Sequence, residues 1–189
     1  MQPYPHTYVA SAAGEGAGFV TLASPQLPSL ATAPPPEFDG PGGVWSPETL
    51  LCASLADCFI LTFRAVSRAA RFEWSRLECR VEGVLERVGR RSRFTRYTTF
   101  AKLTVPEGAD PAKARELLER ADQGCLIANS VNGLRSLETE ISVEGAPAAV
   151  RDRSDPMPDE ALAVVAVADG ALTEVELAQG LSRNSARSA

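Results

Sequence analysis

The sequence predicts an α+β fold in which antiparallel strands surround one long, buried helix. Two observations predict it. A strong helix-start signal opens the apolar stretch WSPETLLCASLADCFILTF at residues 45–63, and a period of two appears soon afterwards in LECRVEGVL. With the flanking segments, these give the element order β-β-α-β-β-α-β. A single long helix between antiparallel pairs does not suggest a doubly wound sheet.

The N-terminal segment predicts a short hairpin. Residues 7–23 hold two strand-like runs around a turn that carries Gly14, Gly16 and Gly18. A phosphate-binding loop is the alternative for these glycines, but neither GKS nor GxGxxG follows them. Residues 24–44 are a proline- and glycine-rich connection that cannot hold regular structure for long.

Ser46 is the predicted N-cap of the central helix. Pro47 follows at the first helical position, where its missing N–H costs nothing, and Glu48 complements the positive end of the helix dipole. The helix is expected to run to about Ala70. It is apolar on nearly every side as far as Phe63, which predicts that its first two-thirds are buried.

Strands and a shorter helix follow the central helix. Alternate residues there face the core and the solvent, as in a half-buried strand. The core set is Leu77, Cys79 and Val81, and the solvent set is Glu78, Arg80 and Glu82. Cys79 is therefore expected to be core filler. The remaining predicted elements are a strand within residues 94–105, a helix within residues 111–122, and a strand with Leu137, Thr139, Ile141 and Val143 on one face.

A change in composition divides the chain into three parts. Residues 1–149 form the domain described above, residues 150–158 are a polar, proline-bearing linker, and residues 159–189 are a helical hairpin extension with a disordered end. Gly170 separates the two helices of this appendage, and the second helix opens with capping-box spacing.

Charge, hydropathy and cysteine usage exclude several classes of protein. Residues 1–63 contain five acids and no Lys or Arg, and the remaining 126 residues carry 19 acids and 19 bases, so we expect no nucleic-acid partner. The longest apolar run, residues 50–63, is interrupted by Asp57 and is too short to predict a membrane span. With no secretory signal in MQPYPHTYVA, the four cysteines predict reduced thiols in the cytoplasm.

Among the kinds of catalysis that side chains can perform, the reactive residues of this chain favour thiol chemistry. His6 is the only histidine, so a Cys-His or Ser-His-Asp hydrolase is not expected. The cysteines show no CxxC spacing, and with one histidine they predict no metal site and no cofactor.

Two segments together resemble the motif blocks of the OsmC/Ohr family, which comprises thiol-dependent peroxidases and their relatives. They are PEFDGPGGVWSPETLLCASLADCFILTF and ADQGCLIANSVNG. In the first, Cys58 stands where the family has its peroxidatic cysteine, and Glu48 precedes it by ten residues. In the second, Cys125 stands where the family has its resolving cysteine, and Asn129 and Ser130 follow. The likeness covers residues 6–145.

The resemblance implies an OsmC-like, intertwined homodimer that reduces small organic hydroperoxides in the oxidative stress response. Cys58 would attack the peroxide oxygen and become a sulfenic acid, Cys125 would condense with it to a disulfide, and an external dithiol would reduce that disulfide. We place Cys125 at a helix start, where the dipole would lower the pKa of its thiol. The apolar central helix suits the alkyl part of such a substrate.

Glu48 cannot serve its own Cys58, because ten residues of α-helix separate them by about 15 Å. Two copies of the helix packed antiparallel about a two-fold axis near Ala53 would instead place Glu48 of one chain beside Cys58 of the other. Since the resemblance also implies a homodimer, both arguments predict a shared site.

The chain departs from the family in one respect. Family peroxidases carry an N-terminal arginine that bonds the thiolate and pairs with the glutamate, and this chain has no basic residue before Arg64. Arg64, Arg68 and Arg135 are the candidate substitutes, although none stands at the family position. Without the cation, burial and the neighbouring Asp57 disfavour a thiolate at Cys58. The alternative function is therefore a non-catalytic OsmC-like dimer that binds a small lipophilic ligand in its apolar cleft.

Overall fold

The structure, a computed structural model, describes residues 2–145. The linker and the helical extension predicted for residues 150–189 lie outside the described residues. The strands are β1 (Ser11–Ala13), β2 (Val20–Ala23), β3 (Leu30–Thr32), β4 (Arg76–Val88), β5 (Arg91–Val105) and β6 (Leu134–Val143). The helices are α1 (Pro47–Ala70) and α2 (Pro111–Gly124), with 3-10 turns at Pro36–Phe38 and Ala128–Ser130.

The first sheet contains one strand more than the sequence predicts. The order β1-β2-β3 is antiparallel throughout, and β3 pairs with β2 from Val20↔Thr32 to Leu22↔Leu30. Strand β3 is only three residues long and lies between Pro28 and Pro34. Its extended conformation therefore depends on pairing with β2, which is not visible in a local sequence pattern.

The second sheet has the order β4-β5-β6 and is mixed. Strands β4 and β5 form a long antiparallel hairpin, whereas β5 and β6 pair in parallel. Parallel neighbours need a crossover connection, and α2 supplies it. The α+β class and the predicted positions of β4, β5, α2 and β6 are thus confirmed, with a parallel pair added.

The start of α1 follows the predicted capping. The Ser46 hydroxyl accepts a hydrogen bond from the Thr49 backbone N–H at 3.2 Å, and the Ser46 N–H donates to the Thr49 hydroxyl at 2.9 Å. This reciprocal pair is a capping box, with Pro47 at the first helical position. The helix ends at Ala70, as predicted, where Arg71 adopts a left-handed conformation.

Within one chain, α1 is buried along a single stripe. The buried residues are Leu55, Phe59, Phe63 and Ser67, spaced four apart. Leu61, which lies opposite this stripe, is 51% exposed. The helix is long and apolar enough to cross a membrane by length and composition, a test that core helices also pass. The side opposite the stripe, where Asp57, Leu61, Arg64 and Arg68 are exposed, is not covered by residues 2–145.

The main core lies between α1, α2 and the second sheet. Strand β4 contributes Leu77, and Cys79 packs against the same cluster, as the period of two predicts. The fully or nearly fully buried members are Phe59, Phe63, Leu77, Ala101, Leu103, Val105, Ala114, Leu117, Leu118 and Ala121. This core holds the middle of α1 against the end of α2, where the two cysteine motifs meet.

Candidate functional site

The fold brings Cys58 and Cys125 together from two separate helices. Cys58 lies in the middle of α1, and Cys125 is the residue directly after α2. Both thiols belong to a second cluster that contains Leu55, Tyr97 and Ala128. The two side chains are close enough that Cys58 influences the ionisation of Cys125. Two thiols on different elements can form a disulfide without either helix having to unwind.

A glycine and a threonine set the approach of the two helices at this point. The Thr62 hydroxyl donates a hydrogen bond to the Cys58 carbonyl at 2.8 Å, and its oxygen lies 4.0 Å from the Cys58 sulfur. A Cβ atom on Gly124 would lie 3.2 Å from the Thr62 methyl group. Gly124 therefore lets the end of α2 come close to α1, which places Cys125 beside Cys58.

Cys125 lies at the junction between α2 and the helical turn that follows, and its carbonyl accepts a hydrogen bond from the Asn129 N–H at 3.0 Å. It is the C-cap of α2, and its side chain is only 1% exposed. Burial, with a smaller contribution from the adjacent Cys58, raises the pKa of Cys125 to about 11. Backbone N–H groups of Ala128 and Ile127 bond to the sulfur and lower the pKa, but this effect is smaller than that of burial.

The other two cysteines differ from this pair in their surroundings. Cys79 packs on the main core, where burial raises the pKa of its thiol to about 12. Cys52 is half-buried beside Gly83, on which a Cβ atom would lie 3.0 Å from the Cys52 sulfur. Burial also raises the pKa of Cys52. The position of Cys79 agrees with the packing role that the sequence predicts for it.

Glu48 lies in the first turn of α1, away from the Cys58 of its own chain. It precedes Leu55 by seven residues, so it shares the sheet-facing stripe of the helix. Its Oε2 atom is buried, and within residues 2–145 it accepts no hydrogen bond. A buried carboxylate oxygen that accepts no hydrogen bond costs free energy of folding, and residues 2–145 provide no donor for this one.

None of the three candidate substitutes for the family arginine lies beside Cys58. Arg64 and Arg68 are exposed on α1, and Arg64 is about 240° round the helix from Cys58. Arg135 donates to the Asn129 side-chain oxygen at 3.2 Å and pairs with Asp122 at 3.9 Å. The positive charge of Arg135 is therefore already paired with the carboxylate of Asp122.

The Asn129 and Ser130 side chains tie down the loop that carries Cys125. Asn129 Nδ2 donates to the Gln123 carbonyl at 2.9 Å, and the Ser130 hydroxyl donates to the Leu126 carbonyl at 2.9 Å. Both bonds close the chain around Cys125. The motif residues thus position the thiol.

The surface next to the thiols is apolar. Leu126, which follows Cys125, is 69% exposed, and Ile127 is also exposed. Tyr97 of β5 is buried in the thiol cluster and stacks on Phe94 with ring centroids 5.5 Å apart. Sequence reasoning missed Tyr97 and Gly124. The positions of Tyr97 and Gly124 become apparent only once β5 is paired with β4 and α2 is packed against α1.

The part of the chain that the structure describes contains no group of three or more His, Cys, Asp or Glu side chains arranged to hold a metal ion. The site geometry therefore consists of thiols, an apolar margin and an acid that lacks a partner.

Comparison with known proteins places these features in a family. The family model for OsmC-like protein matches residues 40–144. The "Uncharacterized protein YmaD" of Bacillus subtilis is 26% identical over 113 residues, which cover 58% of this chain and 75% of that protein. A Vibrio cholerae structure described as an OsmC-like protein of unknown function matches with a TM-score of 0.67 and 15% identity, over 72% of this chain and 100% of that one. An organic hydroperoxide resistance protein OsmC from Legionella pneumophila matches with a TM-score of 0.60 and 25% identity, over 75% and 100%.

Proposed function

Because this chain belongs to the OsmC-like protein family, we propose that it is a thiol-dependent peroxidase that reduces small organic hydroperoxides through Cys58 and Cys125. The observation that carries the proposal is the meeting of these two thiols from separate helices. The Legionella pneumophila relative, named an organic hydroperoxide resistance protein, supports this substrate class.

The environments of the two thiols assign their roles. Cys125 is almost completely buried and its pKa is raised to about 11, so it is a poor first nucleophile at neutral pH. Cys58 is less buried, and the residues that follow Cys125, Leu126 and Ile127, are exposed and apolar. Cys58 is therefore the peroxidatic residue, and Cys125 is the resolving residue.

The reaction has three steps. The Cys58 thiolate attacks the terminal peroxide oxygen, an S–O bond forms, the O–O bond breaks, and the leaving alkoxide takes a proton to give the alcohol. The Cys125 thiol then attacks the sulfenic sulfur, so that a disulfide forms and water leaves. Finally, an external dithiol reduces the Cys58–Cys125 disulfide by thiol–disulfide exchange and is itself oxidised.

The proposed functional unit is a cytoplasmic homodimer. Within residues 2–145, α1 is packed along one stripe only, and a second copy of the helix would cover its other side, where Leu61 is 51% exposed. In an antiparallel pair about Ala53, Glu48 of the partner subunit would stand beside Cys58.

A second candidate function is binding of a small lipophilic ligand, with the thiols inert. The observation that favours it is the absence, within residues 2–145 of one chain, of a cation beside Cys58. In the family peroxidases that this chain resembles, an N-terminal arginine bonds this cysteine, and this chain has no basic residue before Arg64.

Turnover of cumene hydroperoxide and of hydrogen peroxide, with dithiothreitol as the reductant, tests the proposal. We expect faster consumption of the organic peroxide. A stoichiometric pulse should also give a Cys58–Cys125 disulfide in a non-reducing peptide map. No turnover of either peroxide, together with saturable binding of a lipophilic fluorescent probe, would support the ligand-binding function instead.

A further inference from the structure

The loop that carries Cys125 is bound by one arginine of β6. Arg135 Nη1 donates to the Asn129 side-chain oxygen at 3.2 Å, and Arg135 Nη2 lies 3.9 Å from a carboxylate oxygen of Asp122. Asp122 precedes Cys125 in the sequence, and Asn129 follows it. One side chain on a separate element therefore contacts the chain on both sides of the resolving thiol.

The register of β6 explains why an arginine stands at this point. Arg135 shares a face of the strand with Leu137 and Ile141, which pack against the main core. In the pairing with β5, Arg135 lies opposite Tyr97 of the thiol cluster. A Cβ atom on Gly133 would lie 3.0 Å from the Tyr97 ring. Gly133 thus lets β6 begin close to Tyr97, which places Arg135 beside the end of α2.

Asn129 links Arg135 to the last turn of α2. The Asn129 side-chain oxygen accepts from Arg135, and its Nδ2 atom donates to the Gln123 carbonyl at 2.9 Å. Gln123 lies in the last turn of α2, where carbonyl groups have no partner within the helix. Because a guanidinium can only donate, it selects this orientation of the amide. Arg135 therefore determines how Asn129 binds the end of α2.

Arg135, Asn129 and Asp122 together form a clasp around Cys125, whose side chain is only 1% exposed. The Asn129 backbone N–H also donates to the Cys125 carbonyl at 3.0 Å. The side chains of Arg135 and Asp122 are 28% and 23% exposed, so solvent screens their attraction only in part. The clasp therefore resists displacement of Cys125 from the thiol cluster.

Resting on the proposed function, we propose that Arg135 is a positioning residue, which acts through Asn129 and Asp122 to hold Cys125 in the geometry for attack on the Cys58 sulfenic acid. In that step an S–S bond forms between the two cysteines, the S–O bond breaks, and the hydroxyl leaves with the Cys125 proton as water. The rate of such a step depends on orientation, and a misplacement of about 1 Å can cost on the order of 100-fold.

The clasp also determines what becomes of the Cys58 sulfenic acid. When Cys125 attacks slowly, a second hydroperoxide molecule can oxidise the sulfenic sulfur to a sulfinic acid. An S–O bond then forms, the O–O bond of the peroxide breaks, and the alcohol leaves. A dithiol does not reduce a sulfinic acid, so this oxidation ends the catalytic cycle. Arg135 thereby protects Cys58 against overoxidation.

The first experiment follows both thiols with DTNB, a small aromatic disulfide, in full-length chains whose other two cysteines are replaced by serine. Cys58 attacks DTNB and releases one thionitrobenzoate, and Cys125 then displaces the second as the Cys58–Cys125 disulfide forms. Arg135→Ala should slow the second release about tenfold and leave the first within twofold. Arg120→Ala, which removes an exposed α2 arginine paired with Glu116, is the matched control and should leave both native.

Equal second-release rates in Arg135→Ala and Arg120→Ala would overturn the proposal, and so would an equal slowing of both releases in Arg135→Ala. Should the chains with two cysteines fail to fold, quenched peptide mapping of chains with all four cysteines gives the same two rates. DTNB needs no peroxide, so a chain that fails as a peroxidase can still pass this test.

A double-variant cycle tests whether Arg135 acts through Asn129. Arg135→Ala and Asn129→Ala should each slow the second release of thionitrobenzoate. The double variant should be no slower than the slower single variant, because both changes remove the same link to α2. Slowing factors that multiply in the double variant would mean two independent effects and would overturn the role of Asn129.

The last experiment measures overoxidation of Cys58 by peptide mass spectrometry after exposure to excess cumene hydroperoxide. Arg135→Ala should accumulate the Cys58 sulfinic acid several-fold faster than the native chain, because its sulfenic acid persists longer. Arg120→Ala should accumulate it at the native rate. Equal accumulation in the two variants would overturn the protective role of Arg135.

Discussion

The side-chain environments separate the roles of the four cysteines. Cys58→Ser should abolish peroxide turnover, because this residue combines access to the apolar margin with contact to Cys125. Cys52→Ser and Cys79→Ser should leave turnover within a few-fold, since these thiols pack against Gly83 and the main core respectively. Steady-state peroxidase assays on the three folded variants measure the difference. An equal loss from all three would indicate a structural effect.

The buried thiols also predict a pH dependence of stability. Burial raises the pKa of Cys79 to about 12 and that of Cys125 to about 11, from the ordinary value of 9.0. The unfolded chain loses these protons above pH 9 while the folded chain keeps them, so stability is fully present below pH 9 and is lost as the pH rises toward 12. Urea midpoints should fall over this window. Cys79→Ala should show a shallower fall, and an identical slope would contradict the assignment.

At the level of helices and strands, Gly124 controls how closely α2 approaches α1. Gly124→Val should push the end of α2 away from Thr62, since a Cβ there already lies at 3.2 Å. We expect formation of the Cys58–Cys125 disulfide after a peroxide pulse to slow several-fold in a chain that still folds. Gly16→Ala is the matched control, because a Cβ at Gly16 meets nothing within 4 Å. Rapid quench with non-reducing peptide mapping gives both rates.

Elements that depend on residues close together in the sequence were predicted correctly. The capping residues at Ser46 fixed the start of α1, and the period of two located β4 with Cys79 on its core face. Strand β3 and the parallel pairing of β5 with β6 depend on partners distant in sequence, so no local pattern revealed them.

For the candidate site, the sequence supplied the residues but not their relations. The resemblance pointed to Cys58, Cys125 and Glu48, and the structure brings the first two together. The absence of a counterpart to the family's N-terminal arginine was also visible in the sequence.

At the level of the whole molecule, the half-covered central helix predicts a dimer. Light scattering should give about twice the 20.1 kDa chain mass. Leu61→Glu places a charge at the centre of the uncovered side of α1 and should yield monomers at micromolar concentration. Arg115→Glu, on the exposed side of α2, is the control and should remain dimeric. A native chain that is monomeric at this concentration would rule out the shared site.

Removal of the C-terminal segment tests how much of the chain the catalytic unit requires. Both cysteine motifs, α1 and the complete second sheet lie before residue 145, and the family match ends at residue 144. The part of the chain that contains them has its own core. A chain truncated after Gly145 should therefore fold, form dimers and keep peroxidase activity within a few-fold of the full chain, as measured by light scattering and by cumene hydroperoxide turnover. Loss of activity from a truncated dimer with a native circular dichroism spectrum would mean that residues 146–189 contribute to the site, and the boundary of the catalytic unit would have to move to include them.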